Sequence, residues 1–283
     1  MPRARLITVT LLLFLTACTA YSGSSGTVAP PTAPPPTSEV RSLVLPFDRY
    51  RLSVNDIYLI EGAQDILTRD CMKRRGHDWE LVNNHSTFID LRNRRRYGVI
   101  EMPVAEELGY HTTPQLLGST EVTARKQRRE SRLSMAEQKD AFDPENGCYV
   151  RAGRQLAQGT QVDEGPMSDL SYRILNESRK SLPVSRALAS WGRCMHGYGF
   201  SYRDPAGAGS DPAWHRSQNP SRKELATAVA DVRCKRRADL VAVWHREEKG
   251  RQEQAVRLRS EYFGRLAAAK ARHLDAARAV LFR

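Results

Sequence analysis

Two short stretches, CMKRRGHDW from Cys71 to Trp79 and CMHGYGFSY from Cys194 to Tyr202, constrain this chain more than any other feature. Aligned on their cysteines, both read Cys-Met, three variable residues, a glycine, then two rings separated by one residue. These are Gly76, His77 and Trp79 in the first copy and Gly199, Phe200 and Tyr202 in the second. A helical period runs into each copy. Val54, Ile57, Ile60, Ala63, Leu67 and Cys71 recur every three or four residues behind Ser53 and Asp56, a pair suited to capping. Val184, Leu188, Trp191 and Met195 do the same behind Pro183, which suits a helix's first turn. Gly76 and Gly199 stand where a helix stops on a left-handed residue. The duplication therefore predicts two related helical modules and a mainly α fold.

The same stretches carry a thiol, a thioether and an imidazole, the atoms of a soft-metal site. Neighbouring residues on a helix point about 100° apart, so Cys71 and Met72 do not converge on one ion. His77 also becomes Phe200 in the second copy, a change that suits packing. A bridged cysteine beside a core methionine is the better reading, with no metal and no cofactor expected. A thiol-redox enzyme would place its cysteines as C-x-x-C, and that spacing does not occur.

The N-terminus sets the compartment. Arg3 and Arg5 precede an apolar run from Leu6 to Leu15 that is too short to span a bilayer, followed by Leu15-Thr16-Ala17-Cys18. This reads as an export signal over residues 1–17. Leu-Thr-Ala-Cys resembles the lipobox of bacterial lipoproteins, which implies an acylated Cys18, and a doubly acylated cysteine anchors stably where one chain would not. Residues 18–46, rich in Ser, Thr and Pro, hold too little apolar surface to fold and are expected to form a disordered tether. The expected location is the extracytoplasmic face of the cell membrane.

With Cys18 set aside, Cys71, Cys148, Cys194 and Cys234 form an even set for an oxidising compartment. Cys148 follows the turn signal DPENG, and Cys234 lies in a segment opened by Ser221 and Glu224. One bridge per repeat, Cys71 with Cys148 and Cys194 with Cys234, would stabilise each module by about 2–4 kcal/mol. The modules are expected over 47–160 and 161–283. Within the first, Ser119 to Asn146 is polar and reads as a mobile insertion. Beyond Ser221 an apolar stripe runs to Phe282; a continuous helix there would be a rod of about 90 Å in an elongated molecule, with a break near Gly250 as the alternative.

Without the signal, 42 basic residues stand against 32 acidic ones. Outside the membrane such a balance points to anionic lipid headgroups or envelope polymers as partners, and not to nucleic acid. RNRRRYG, with Arg92, Arg94, Arg95 and Arg96, is the candidate polyanion-binding run, beside RKQRRESR from Arg125. The competing reading of both is a solvated face. His215 and His245 each occur in Trp-His-Arg, conceivably a glycan grip, more simply a buried tryptophan. No hydrolase, zinc-peptidase, P-loop or dinucleotide motif occurs.

Together the lipobox, the tether, Arg94 to Ile100, Gly109-Tyr110-His111, Trp191-x-x-Cys194-Met195 and Ala228 to Cys234 resemble a group of uncharacterised lipoproteins from Streptomyces and related actinobacteria. The likeness covers most of the chain after Arg49 and weakens between Ser119 and Asn146. It implies a surface location and a paired-cysteine helical body, and it carries no activity. The expected function is non-catalytic binding of a protein or envelope polymer through a basic helical surface. A solute-binding lipoprotein and an envelope hydrolase are the rivals.

Overall fold

The structure, a computed structural model, describes residues 33–82, 88–113, 116 and 120–282. The expected signal segment, Cys18 and the tether as far as residue 32 lie outside the described residues. All regular elements among those described are helical. In order they are α1 (Ser38–Arg41), a 3-10 turn (Pro46–Tyr50), α2 (Val54–Arg74), α3 (Met102–Glu107), α4 (Thr120–Glu130), α5 (Met135–Phe142) and α6 (Cys148–Leu156). These are followed by α7 (Gly165–Arg179), α8 (Leu182–Gly197), α9 (Pro205–Gly209), a 3-10 turn (Pro212–Arg216), α10 (Arg222–Arg237), α11 (Leu240–Leu258) and α12 (Ser260–Leu281).

Local signals act as the sequence predicts. Ser53 and Asp56 cap α2 reciprocally, Asp56 N donating to Ser53 Oγ at 3.1 Å and Ser53 N donating to the Asp56 carboxylate at 2.8 Å. Both repeats end in the same hydrogen-bond pattern. Gly76 and Gly199 each have φ +82°. His77 N donates back to Met72 O at 3.0 Å and Gly76 N to Lys73 O at 3.1 Å; Phe200 N donates to Met195 O at 3.0 Å and Gly199 N to His196 O at 2.9 Å. That is a Schellman stop, in which the residue after the glycine packs near the position five before it. The motif therefore couples a buried methionine, Met72 or Met195, to the ring that follows the glycine.

Four expectations need correction. Residues 120–146, the described part of the expected mobile insertion, are folded: α4 and α5 dock through Val122, Arg129 and Ala141, all buried, and Ser134 with Glu137 forms a capping box at the start of α5. The stretch from Ser221 is not a rod. Asp239 takes a left-handed conformation (φ 50°) and Arg259 leaves helical geometry, while Gly250 sits inside α11 without a break. The C-terminal part of the stripe is used within the fold: Leu274, Ala277 and Val280 of α12 meet Ile60 and Ala63 of α2 and Leu156 of α6. At 22 residues, or ~33 Å, α12 is still a long C-terminal helix.

The folded body also begins before residue 47. Val40, Leu43, Leu45 and Phe47 are buried, and Thr37 N donates to Glu101 Oε1 at 2.8 Å. Finally, Pro31–Arg283 forms one compact unit. Four of the five apolar clusters contain residues from both sides of position 160, as where Val99, Val104 and Leu108 pack on Ala228 and Val232. The two bridge-bearing modules are thus interleaved.

Candidate functional site

Arg92, Arg94, Arg95 and Arg96 do not form an exposed basic patch. They lie in a series of turns that sends each guanidinium to a different partner inside the protein. Arg92 donates to Asp90 and, at 2.6 Å, to Leu52 O. Arg94 is buried; it pairs with Glu101 at 2.6 Å and donates to the carbonyls of Pro34 and Leu116 at 2.8 and 2.9 Å. Arg95 donates to His111 O at 2.8 Å, and burial, with Arg94 alongside, lowers its pKa to about 10. Arg96 pairs with the fully buried Glu248, whose second oxygen accepts from Tyr97 Oη at 2.9 Å. A guanidinium removed from water needs compensating acceptors, so this run is a structural clasp. The second basic run is docked in the same way, Lys126 on Glu61 at 2.6 Å and Arg129 on Asp65 at 3.0 Å.

The densest ionisable cluster surrounds α10. Asp231 and Lys235, both buried, pair at 2.8 Å; Trp191 Nε1 donates to Asp231 at 2.9 Å and Lys235 Nζ donates to Val99 O at 2.8 Å. Burial raises the Asp231 pKa and lowers that of Lys235, each partly offset by the other. One turn from the helix start, Glu224 accepts from Tyr110 N at 2.9 Å and lies 2.7 Å from His111 Nδ1, instead of turning back to cap its own helix. Chain geometry explains why this was not legible: Ser221 does cap α10 by accepting from Glu224 N, so the local pattern is only half used. These groups satisfy one another away from solvent, which suits a core clasp better than acid/base chemistry.

Among the described residues no three metal-ligating side chains converge. His77 faces Asp140 at 2.9 Å, and Met72 and Met195 are in the core. The Trp-His-Arg coincidence also resolves to packing. Trp214 and Trp244 are buried, donating to Ala208 O at 2.7 Å and Ser178 Oγ at 2.9 Å.

The bridges pair as the repeat predicts, Cys71 with Cys148 and Cys194 with Cys234, at Cα separations of 5.7 and 5.5 Å. Their surroundings differ. Cys234 sits in the last turn of α10 within the cluster of Trp191, Met195 and Leu240. The first bridge instead floors an open groove of about 430 Å³ between α2 and α6. Leu67 and Ala152 add apolar floor, and Arg74, Arg151 and Arg154 line it. Arg74 and Arg151 are exposed and have no ion pair or hydrogen-bond acceptor among the described residues. Arg154 is held by the carbonyls of Pro144 and Glu145. The only lining carboxylate, Asp70, is paired with Arg69 at 2.8 Å. The groove therefore carries an excess of positive charge, three arginines against one carboxylate, in a concave, solvent-open place that suits an anion.

No helix among the described residues is long and apolar enough to cross a membrane. No protein-family model, curated protein or solved structure matches the chain.

Proposed function

We propose that this chain is an extracytoplasmic lipoprotein, anchored through acylated Cys18, that acts as a non-catalytic binding protein for an anionic partner in the cell envelope. The observation that carries the reading is the division of its arginines. Those of the Arg92–Arg96 run are committed to internal acceptors, whereas Arg74 and Arg151 face solvent unpaired beside a groove. The excess of 42 basic over 32 acidic residues left after the signal is removed supplies the long-range attraction that such a partner would feel. Two disulfides suit an oxidising compartment. Because the body starts by residue 33, only 14 residues separate Cys18 from it, in place of the 28 expected from composition, which favours a partner close to the membrane surface.

Two measurements test this. Cys18→Ala should shift the protein from the membrane fraction to the medium; retention in the membrane overturns the anchor. The purified Cys18→Ala chain should bind immobilised polyphosphate at low salt and elute as the Debye length shortens. A chain that flows through at low salt overturns the anionic partner.

A further inference from the structure

We infer that the groove beside the Cys71–Cys148 bridge is a binding site for a phosphate group, presented as a phosphomonoester or phosphodiester. It rests on the anionic-partner reading above and assigns that partner a chemistry and a place.

The placement follows from spacing. Arg74 is three residues after Cys71 and Arg151 three after Cys148. On a helix that interval puts each arginine on its cysteine's face, one turn along. The bridge holds the two helices at a Cα separation of 5.7 Å and they run antiparallel, Gln64 meeting Tyr149, so the arginines stand a turn to either side of the bridge along one groove. Both are exposed, and Asp70, the carboxylate in the groove's lining, is shared with Arg69 outside it. The lining thus sets three arginines against one carboxylate, an excess of positive charge that a bound anion would offset.

The second bridge lacks this arrangement. Three residues after Cys194 stands Gly197, so only Arg237, after Cys234, has the matching position. The groove is thus a feature of the first repeat and not a consequence of the shared motif. A further contribution comes from α6, which starts at Cys148 behind Gly147, an N-cap with no side chain to accept the first-turn N–H groups. The start of a nine-residue helix adds partial positive charge at this end of the groove.

Phosphate fits better than carboxylate for reasons of geometry. A guanidinium donates in a planar fork, and a carboxylate's two oxygens fill one fork. A phosphate group can offer separate oxygen pairs to Arg74 and Arg151, with Arg154, already oriented by the turn carbonyls, able to supply a third donor. The groove's volume lies in the range of small-ligand sites, room for a phosphoglycerol or phosphosugar unit on the apolar floor.

The test uses the full Cys18→Ala chain, with binding read from the arginine Nε–H resonances and from affinity. The probes are glycerol 3-phosphate, poly(glycerol phosphate), phosphatidylglycerol vesicles and, as a control, acetate. The Arg74→Gln/Arg151→Gln double variant is expected to weaken phosphate-bearing probes roughly tenfold or more. Arg257→Gln/Lys249→Gln, which removes equal charge elsewhere, should change them little, and an unchanged thermal midpoint shows that both variants fold. Binding of glycerol 3-phosphate supports a soluble phosphorylated ligand. Binding confined to polymer or to vesicles supports the same groove reading a phosphodiester on that carrier. Equal response to acetate, or a double variant that binds like the wild type while polyphosphate retention persists, overturns the groove assignment and leaves the general reading intact. Loss of polyphosphate retention in the parent chain overturns both.

Discussion

The Arg129 guanidinium lies 4.1 Å from the ring centroid of Trp79 while it donates to both oxygens of Asp65 at 3.0 Å. This contact docks α4, from a segment whose composition suggested mobility, onto the end of the first repeat. Trp79 in turn packs with Met72, Ala141 and Cys148, so Arg129 closes the core around the first bridge. Removing one member of a buried pair strands the other charge, at a cost of about 3–5 kcal/mol. Arg129→Leu should lower unfolding stability by that order in urea titrations followed by tryptophan fluorescence. A loss below about 1 kcal/mol would mean that α4 is not docked.

The two bridges should differ in reducibility. Cys148 begins a helix and Cys71 opens on a groove lined by arginines, both of which favour a departing thiolate. Cys234 is as buried as Cys148 but lies in the last turn of α10, the helix end that disfavours a thiolate. Under graded dithiothreitol with alkylation and peptide mapping, Cys71 and Cys148 should label first. Simultaneous labelling of all four would indicate that reduction follows global unfolding instead.

The residues just before position 47 should behave as core. Leu43 is buried with Tyr97, Trp191 and Trp244, and its carbonyl accepts from Asn93 Nδ2 at 3.0 Å. Leu43→Ala should cost about 2–5 kcal/mol, as for other buried leucines. Limited proteolysis should spare residues 38–50; rapid cleavage there would restore the longer tether.

His111 gives the fold a pH dependence. Burial opposes its charged form, but the Ser217 carbonyl and the Glu224 carboxylate outweigh that and raise its pKa. A raised folded pKa means stability that is complete below the ordinary value near ~6.5 and is lost as pH climbs through the higher folded value. The thermal midpoint of wild type relative to His111→Gln should therefore be greater at pH 5.5 than at pH 8. An equal difference at both would remove the charged His111–Glu224 pair from the account.

Much of the helical framework could be read in the chain. The duplicated Cys-Met motif is a local stop signal, its glycine demanded by a left-handed turn and its methionine by the core it fills, so sequence alone located both helix ends. The repeat also paired the cysteines correctly, since each module carries one partner. The candidate site was less legible. Arg92 to Arg96 read as a basic patch because composition records charge and not direction, and only the turns at 92–97 reveal that each guanidinium meets an internal acceptor. Arg74 and Arg151 passed unnoticed although their spacing from the cysteines was in view.

Periodicity, capping and stop signals are interactions within a turn or two, and the sequence by itself determined those: where most helices start, where the repeats end and which cysteines belong together. Which surfaces those helices share is set by contacts between residues 100 or more positions apart. Tertiary structure alone decided that α12 covers α2, that Asp239 and Arg259 break the expected rod, and that the first bridge, packed on Met72 and Trp79, also floors a groove. Burial decides whether an arginine is a clasp or a contact, because a guanidinium held from water must find acceptors inside, and one left in a groove remains free to take them from a ligand.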